Sequence, residues 1–194
     1  MIDALVVGLG NPGKEYARTR HNVGEEAVAL LARRAGETLK AGRDKALVAD
    51  ARIAGKRVVL AFPTTYMNES GLAVGPLMRR HHLIEPAQLI VVHDELDLEP
   101  GLMKVKVGGG LAGHNGLRSI TQHLHTQDYI RVRIGVGKPR SKEHGANHVL
   151  SRVPASMREL LDVMVERAAD AVEAILADGV DAAMARFNGM PAVE

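Results

Sequence analysis

Residues 2–13, IDALVVGLGNPG, decide how the chain folds. A short, nearly unbroken apolar run closed off by glycine and proline has the length and bounds of a buried strand. Its end, Gly8-Leu9-Gly10-Asn11-Pro12-Gly13, also spells Gly-x-Gly-x-x-Gly. In a dinucleotide fold that turn needs a helix opening at the loop, and an acidic residue about 20 positions on that closes the next strand. Here the polar KEYARTRHN (14–22) intervenes with no apolar stripe, and the next strand ends in Arg52-Ile53-Ala54. Asn-Pro-Gly is read instead as a tight turn that holds Asn11 at the carboxyl end of the strand, the edge where ligands gather in open α/β sheets.

Working outward, VGEEAVALLARRA (23–35) has apolar residues at helical spacing and stops at Gly36. ALVADARIA and RVVLAFP, within 46–63, form a hairpin joined across Gly55-Lys56, and a helix follows over 71–83. QLIVVHDEL (88–96) is a β-branched core strand. MKVKV (103–107) alternates as a strand, GGGLAGHNG (108–116) leads into a helix through His125, and YIRVRIGVG (129–137) alternates again, with Arg131 and Arg133 on one face. A long amphipathic helix opens at Pro154 and closes at Gly179, its Met and Leu stripe read as core, and a short helix spans 180–187. The order βα-ββ-α-ββ-α-β-α predicts an α/β protein, a twisted mixed β-sheet flanked by helices on both faces, with residues 1–194 as a single domain.

Composition narrows the chemistry. At 194 residues, with 46% hydrophobic and 25% charged residues, the chain is an ordinary globular one. The absence of cysteine removes disulfides, thiolate zinc and a cysteine nucleophile, and it suits a reducing compartment. No run reaches the ~18 apolar residues of a membrane span, and the start lacks the basic region of a signal peptide, so a cytoplasmic location is expected. Net charge is only +2, yet residues 101–152 hold nine Lys/Arg (Lys104, Lys106, Arg118, Arg131, Arg133, Lys138, Arg140, Lys142, Arg152) against Asp128 and Glu143. A basic block in an otherwise acidic chain is the footprint of a polyanion partner, weighed against a merely solvated face. The five aromatics are too scattered for base stacking on an RRM-type sheet.

Four polar stations stand out. His21 returns from the first strand's end in Arg20-His21-Asn22, and imidazole is the commonest general base near neutrality. Asp94 arrives at a strand's carboxyl end in IVVHDELD beside His93, placed either to orient an imidazole or to begin an acidic turn. Asn68 and Asn115 lie where a helix begins, as N-caps or as uncharged groups that orient a carbonyl and a water. The glycine-rich 108–116 loop is read as a phosphate cradle at a helix N-terminus. No Gly-x-Ser-x-Gly elbow, P-loop or His-Glu-x-x-His occurs, and the pairs His81/His82, His123/His125 and His144/His148 lack an obvious third ligand, so no metal is expected. A His–Asp base activating water beside a basic surface suits hydrolysis of an ester or phosphodiester on a nucleic acid.

Five co-linear stretches, VVGLGNPGKEYARTRHNVG, PTTYMNESG, VVHDELDLEPGLMKVKVGGG, GHNGLRSI and RVRIGVGKP, run from residue 6 to about 139. In order and spacing the chain resembles the bacterial-type peptidyl-tRNA hydrolases. The resemblance implies a monomeric α/β enzyme without cofactor that cleaves the ester between a peptide and the 3′ ribose of tRNA, meeting the acceptor arm and 3′ end. It implies His21 as general base, Asp94 holding and polarising it, and Asn11 contacting the peptide backbone so that blocked and free aminoacyl-tRNA are told apart. Asn68 and Asn115 would position substrate and water, Tyr16, Tyr66, Met67 and His114 would line the cleft, and Lys104, Lys106 and Arg133 would meet phosphates. Some relatives of this fold bind RNA without hydrolysis, which is the alternative. The chain departs from the usual pattern at Glu25, where an apolar residue is common, at Phe62, where a Lys is, and at Leu111-Ala112. Whether residues 138–150 form a lid over the cleft is left open by the sequence, although Gly137, Pro139 and Gly145 suit one.

Overall fold

The computed structural model describes residues 1–139 and 145–189. The opening run becomes β1 (Ala4–Gly8), every residue of it buried. It is the centre of a seven-stranded sheet ordered β2-β3-β4-β1-β5-β7-β6. The other strands are β2 (Lys40–Ala41), β3 (Ala46–Ile53), β4 (Lys56–Pro63), β5 (Leu89–Glu95), β6 (Met103–Val107) and β7 (Ile130–Gly135). β1 runs parallel to β4 and β5, and β5 parallel to β7, while β2–β3, β3–β4 and β6–β7 are antiparallel. The sheet is mixed, as the order of elements predicts. The hairpin turns one residue earlier than expected, on Ala54-Gly55, whose positive φ values of 52° and 77° are those of a type I′ turn, the two-residue loop that matches the twist of the flanking strands.

The apolar residues of the strands divide between the two faces by alternation. On one side Val6, Leu60, Ile90, Val92, Val132 and Ile134 pack under α1 (Val23–Arg34), α5 (Ala155–Asp178) and α6 (Val180–Phe187). On the other Leu5, Val7, Val59, Leu89, Val91 and Tyr129 pack under α2 (Gly71–Arg80) and α3 (Asn115–Leu124). The Met and Leu stripe of α5 is core, with Leu161, Met164, Val165, Ala168 and Val172 all buried. A sixth helix, α4 (Gly145–Leu150), has no apolar stripe long enough to be read from sequence. Only part of the 138–150 stretch falls within the described residues; there α4 packs beside the turn that carries His21, with Arg20 donating to the His148 carbonyl at 3.1 Å.

The chain leaves β1 toward β4 and returns to the other side at β5, so a crevice opens between the carboxyl ends of β1 and β5. Gly8 lets α1 close on this edge: a Cβ there would lie 2.1 Å from the Gly24 carbonyl oxygen. A Cβ on Gly10 would meet the Asn22 amide at 2.7 Å. The glycines of the Gly-x-Gly pattern are therefore consumed by the protein's own packing, and no pyrophosphate is needed to explain them. At the far edge of the sheet, the Asn188 side chain closes on β6, accepting from the Val105 N–H at 2.7 Å and donating to its carbonyl at 2.9 Å.

Candidate active site

β5 delivers Asp94 into the crevice, where it is 2% exposed. His21 lies in a single 3-10 turn, Arg20–Asn22, that runs directly into α1. Its Nδ1 meets Asp94 Oδ2 at 2.8 Å, and His114 Nε2 meets Asp94 Oδ1 at 2.8 Å. The carboxylate is thus shared by two imidazoles whose rings stand 5.1 Å apart. Burial pushes the Asp94 carboxyl up, but the charges and hydrogen bonds of His21 and His114 outweigh it and hold the group well below the usual carboxylate range. Burial likewise pushes the His21 ring down, and Asp94, by charge and hydrogen bond, more than reverses this, so its pKa lies above the ordinary value.

Tautomers follow from the partners. An ionised carboxylate only accepts, so His21 carries its proton on Nδ1 and leaves the Nε2 lone pair unengaged among the described residues. His114 is the N-cap of α3: its Nδ1 accepts from the N–H groups of Gly116 at 3.1 Å and Leu117 at 3.3 Å. Its proton is therefore on Nε2, donated to Asp94. This corrects two expectations. Asn115 is not a cap but the first helical residue, and the glycine loop is no phosphate cradle, because the His114 ring already occupies the amides at the helix N-terminus. Asn68 is not a cap either; it sits exposed inside the 3-10 turn Met67–Glu69, and Ser70 precedes α2.

Asn11 is buried and held from both ends. Its N–H donates to Asn22 Oδ1 at 2.9 Å and its carbonyl accepts from Asn22 Nδ2 at 2.9 Å. Its own Oδ1 accepts from the Met67 N–H at 2.7 Å, which orients the amide and leaves Nδ2 as an unengaged donor among the described residues. Sequence reasoning passed over Asn22; the signal available was an amide directly after His21 whose side chain matches a backbone pair. Two adjoining hollows share His21, Asn115 and Val149. One, about 260 Å³, is lined also by Asp94, Glu95, Ala112 and His114; the other, about 250 Å³, by Asn11, Tyr66, Met67, Asn68 and Leu150. Val149 and Leu150 of α4, within the 138–150 stretch, were not singled out as residues, and Tyr16 is not among the lining residues: it is half-buried in the 3-10 turn Lys14–Tyr16.

The basic residues separate by depth. Lys104 and Lys106 pair in register with Arg133 and Arg131, so all four share one face of β6–β7. Arg131 is fully buried, bonding the carbonyls of Gly110 at 2.6 Å and Gln127 at 3.1 Å. It anchors the glycine loop and does not belong to a surface footprint. The Arg133 side chain is 13% exposed and ion-paired with buried Glu95 at 3.4 Å. Lys104 is exposed and Lys106 half-buried. Arg140, Lys142 and Glu143 lie outside the described residues. His21, Asp94 and His114 are the one group among the described residues whose ligand atoms converge closely enough for a metal, within 4.8 Å of one another. In the arrangement present, the nitrogens that face Asp94 carry its hydrogen bonds, so a cation would have to displace both.

A mixed sheet with helices on both faces, and an imidazole–carboxylate pair at the crevice of its two central parallel strands, defines an α/β protein equipped to move one proton at that crevice. The family model for peptidyl-tRNA hydrolase matches residues 5–194. The peptidyl-tRNA hydrolase of Frankia alni is 48% identical over 188 residues, covering 96% of this chain and 94% of that protein. That of Mycobacterium sp. strain KMS is 50% identical over 180 residues, covering 92% and 93%. The crystal structure of peptidyl-tRNA hydrolase from Acinetobacter baumannii superposes with a TM-score of 0.93 at 39% identity, covering 100% of this chain and 99% of that one. The chain belongs to the peptidyl-tRNA hydrolase family, and its activity is the hydrolysis of peptidyl-tRNA.

Proposed function

We propose that His21 is the general base of this hydrolysis. Its Nε2 takes a proton from water as the water oxygen attacks the ester carbonyl carbon joining the peptide to the 3′ ribose. The proton passes to the ribose oxygen as the C–O bond breaks. Asp94 holds the Nδ1–H tautomer and stabilises the imidazolium formed in between, while the hydrogen bond from His114 Nε2 fixes the other carboxylate oxygen. A positioned base contributes typically 10²–10⁴-fold. Asn11 Nδ2 donates to a carbonyl of the peptide, and Asn68 and Asn115 orient substrate and water at the rims of the two hollows. Tyr66 and Met67, with Val149 and Leu150, form the less polar wall.

The observation that carries this reading is the buried Asp94 carboxylate, bonded at 2.8 Å to an imidazole common to both hollows. A protein that only bound RNA would gain nothing from desolvating Asp94 to orient that ring. Lys104 and Lys106, with the tip of Arg133, contact phosphates of the acceptor arm and place the 3′ end in the crevice. Residues 1–194 act as one domain, as a monomer in the cytoplasm, and without a metal or organic cofactor. Among the described residues no helix is long and apolar enough to cross a membrane.

The test is paired deacylation of N-acetylated and free aminoacyl-tRNA by wild type and His21→Ala. Cleavage of the blocked substrate alone, lost in the variant while tRNA still binds, is the expected result. Binding without cleavage by the wild type would transfer the protein to the RNA-binding alternative. Equal cleavage of both substrates would overturn the role of Asn11.

A further inference from the structure

His93 precedes Asp94 on β5 and takes no part in the chemistry above, yet it is 1% exposed. By alternation it lies on the opposite sheet face from Asp94, with Arg133 of β7 as its register partner. Its Nδ1–H donates to the Asp94 carbonyl at 2.8 Å, since a carbonyl only accepts. The lone pair is then on Nε2, and that buried atom has no partner among the described residues. The ring stands edge-on to His114, with centroids 5.1 Å apart and planes at 69°. Burial first, then the neighbouring His114 and Arg133, push its pKa down to about 3, so it remains a neutral ring throughout the working range.

An apolar side chain of similar volume would fill this space without stranding a polar nitrogen. What it would lack is the N–H that pins the Asp94 peptide at the end of the strand. We propose that His93 is a positioning residue, fixing the Asp94 peptide plane and backing the His114 ring so that one carboxylate reaches both histidines; this rests on His21 being the base. The peptide plane sets the direction of the Asp94 Cα–Cβ bond, and so decides whether Oδ2 meets His21 Nδ1 in line. Loosening it weakens the support that keeps the His21 pKa raised, while the hydrogen bond itself runs to a backbone carbonyl and to no group assigned to tRNA contact.

The experiment compares His93→Leu, His93→Asn and His93→Gln with wild type by kcat and KM for N-acetylated aminoacyl-tRNA across pH, with thermal unfolding in parallel. Asn places an amide N–H where Nδ1 stands; Gln places it beyond. The expectation is that Leu and Gln lose about tenfold or more in kcat with KM within about threefold, inside the range a positioned base supplies. Their acid limb moves to lower pH, because His21 is less strongly supported, and Asn recovers most of both losses. Leu and Gln variants with wild-type kcat and acid limb would overturn the proposal, as would Asn losing as much as Gln. Should Leu fail to fold, the Asn–Gln comparison decides alone. A wild type without an acid limb, or an active His21→Ala, would instead strike down the base assignment, so the two failures are distinguishable.

Discussion

Glu25 stands in the first turn of α1, at a position where the resemblance leads one to expect an apolar side chain. It faces a polar cavity of about 520 Å³ between α1 and α5, lined also by Arg18, Glu26, Arg33, Asp162 and Glu166. Among the described residues its carboxylate makes no hydrogen bond or ion pair. Burial first, then the like charge of Glu26, opposed by Arg33, push its pKa up to about 7 from an ordinary 4.5. The unfolded chain therefore ionises near 4.5 while the folded protein resists until about 7. The sign is unfavourable: nothing is lost below pH 4.5, the penalty grows between 4.5 and 7, and it is complete above 7. At about 1.4 kcal/mol per pH unit this is on the order of 3 kcal/mol, an upper bound because water in the open cavity screens the charge. A helix N-terminus favours an acid by only about 0.3–1 kcal/mol, so burial wins. Glu25→Gln is expected to raise Tm by about 4–7 °C at pH 8.5, from about 2.1 cal/mol/K of unfolding entropy per residue. It should leave Tm nearly unchanged at pH 4.5. Calorimetry or circular dichroism melts at the two pH values suffice. An equal gain at both pH values, or none at 8.5, would refute the argument.

Lys104→Ala is expected to flatten the dependence of log binding on log salt by about 0.7–0.9, one phosphate contact, with Tm unchanged. Arg133→Ala should flatten it by less than half as much, since Glu95 already answers its charge, and should destabilise by about 3 kcal/mol because Glu95 is left buried and unpaired. Titrations at several salt concentrations and melts on the same samples check both; identical slopes with identical Tm would count against the division by depth. Asn11→Asp keeps an acceptor for the Met67 N–H and removes the Nδ2 donor, so KM for the blocked substrate should rise about tenfold, the value of one lost hydrogen bond. An unchanged KM would remove Asn11 from substrate recognition.

Much of this molecule can be read from its residues, and the misreadings have physical causes. Stretches such as ALVVG (4–8) and LIVV (89–92) are legible because burial on both faces leaves no polar position to confuse the period. Alternation in YIRVRIG correctly puts Arg131 and Arg133 on one face, but it reports the face and not the depth. What buries Arg131 is the glycine loop some 20 residues earlier, a tertiary fact no local pattern carries. His114 and Asn115 are adjacent at a helix start, and preference tables favour asparagine as the cap. The imidazole took the position because its other nitrogen could then reach Asp94. The 3-10 turns that hold His21 and Asn68, like α4, are too short for any periodicity. His21 and Asp94 were individually recognisable, whereas the sharing of that one carboxylate between two rings appears only when β5 and α3 meet.

A sheet with free edges invites another chain to add itself as one more strand, and the open flank of β6 is such a place. The Asn188 amide bonded across Val105 imitates the peptide group of that missing neighbour and satisfies the outward donor and acceptor at the strand's midpoint. With the exposed ammonium of Lys104 one residue before, a newcomer would have to evict a hydrogen-bonded side chain and desolvate a cation to zip along β6. The last turn of the described chain thus works as a stopper against runaway sheet growth, sparing the protein from polymerising through that flank.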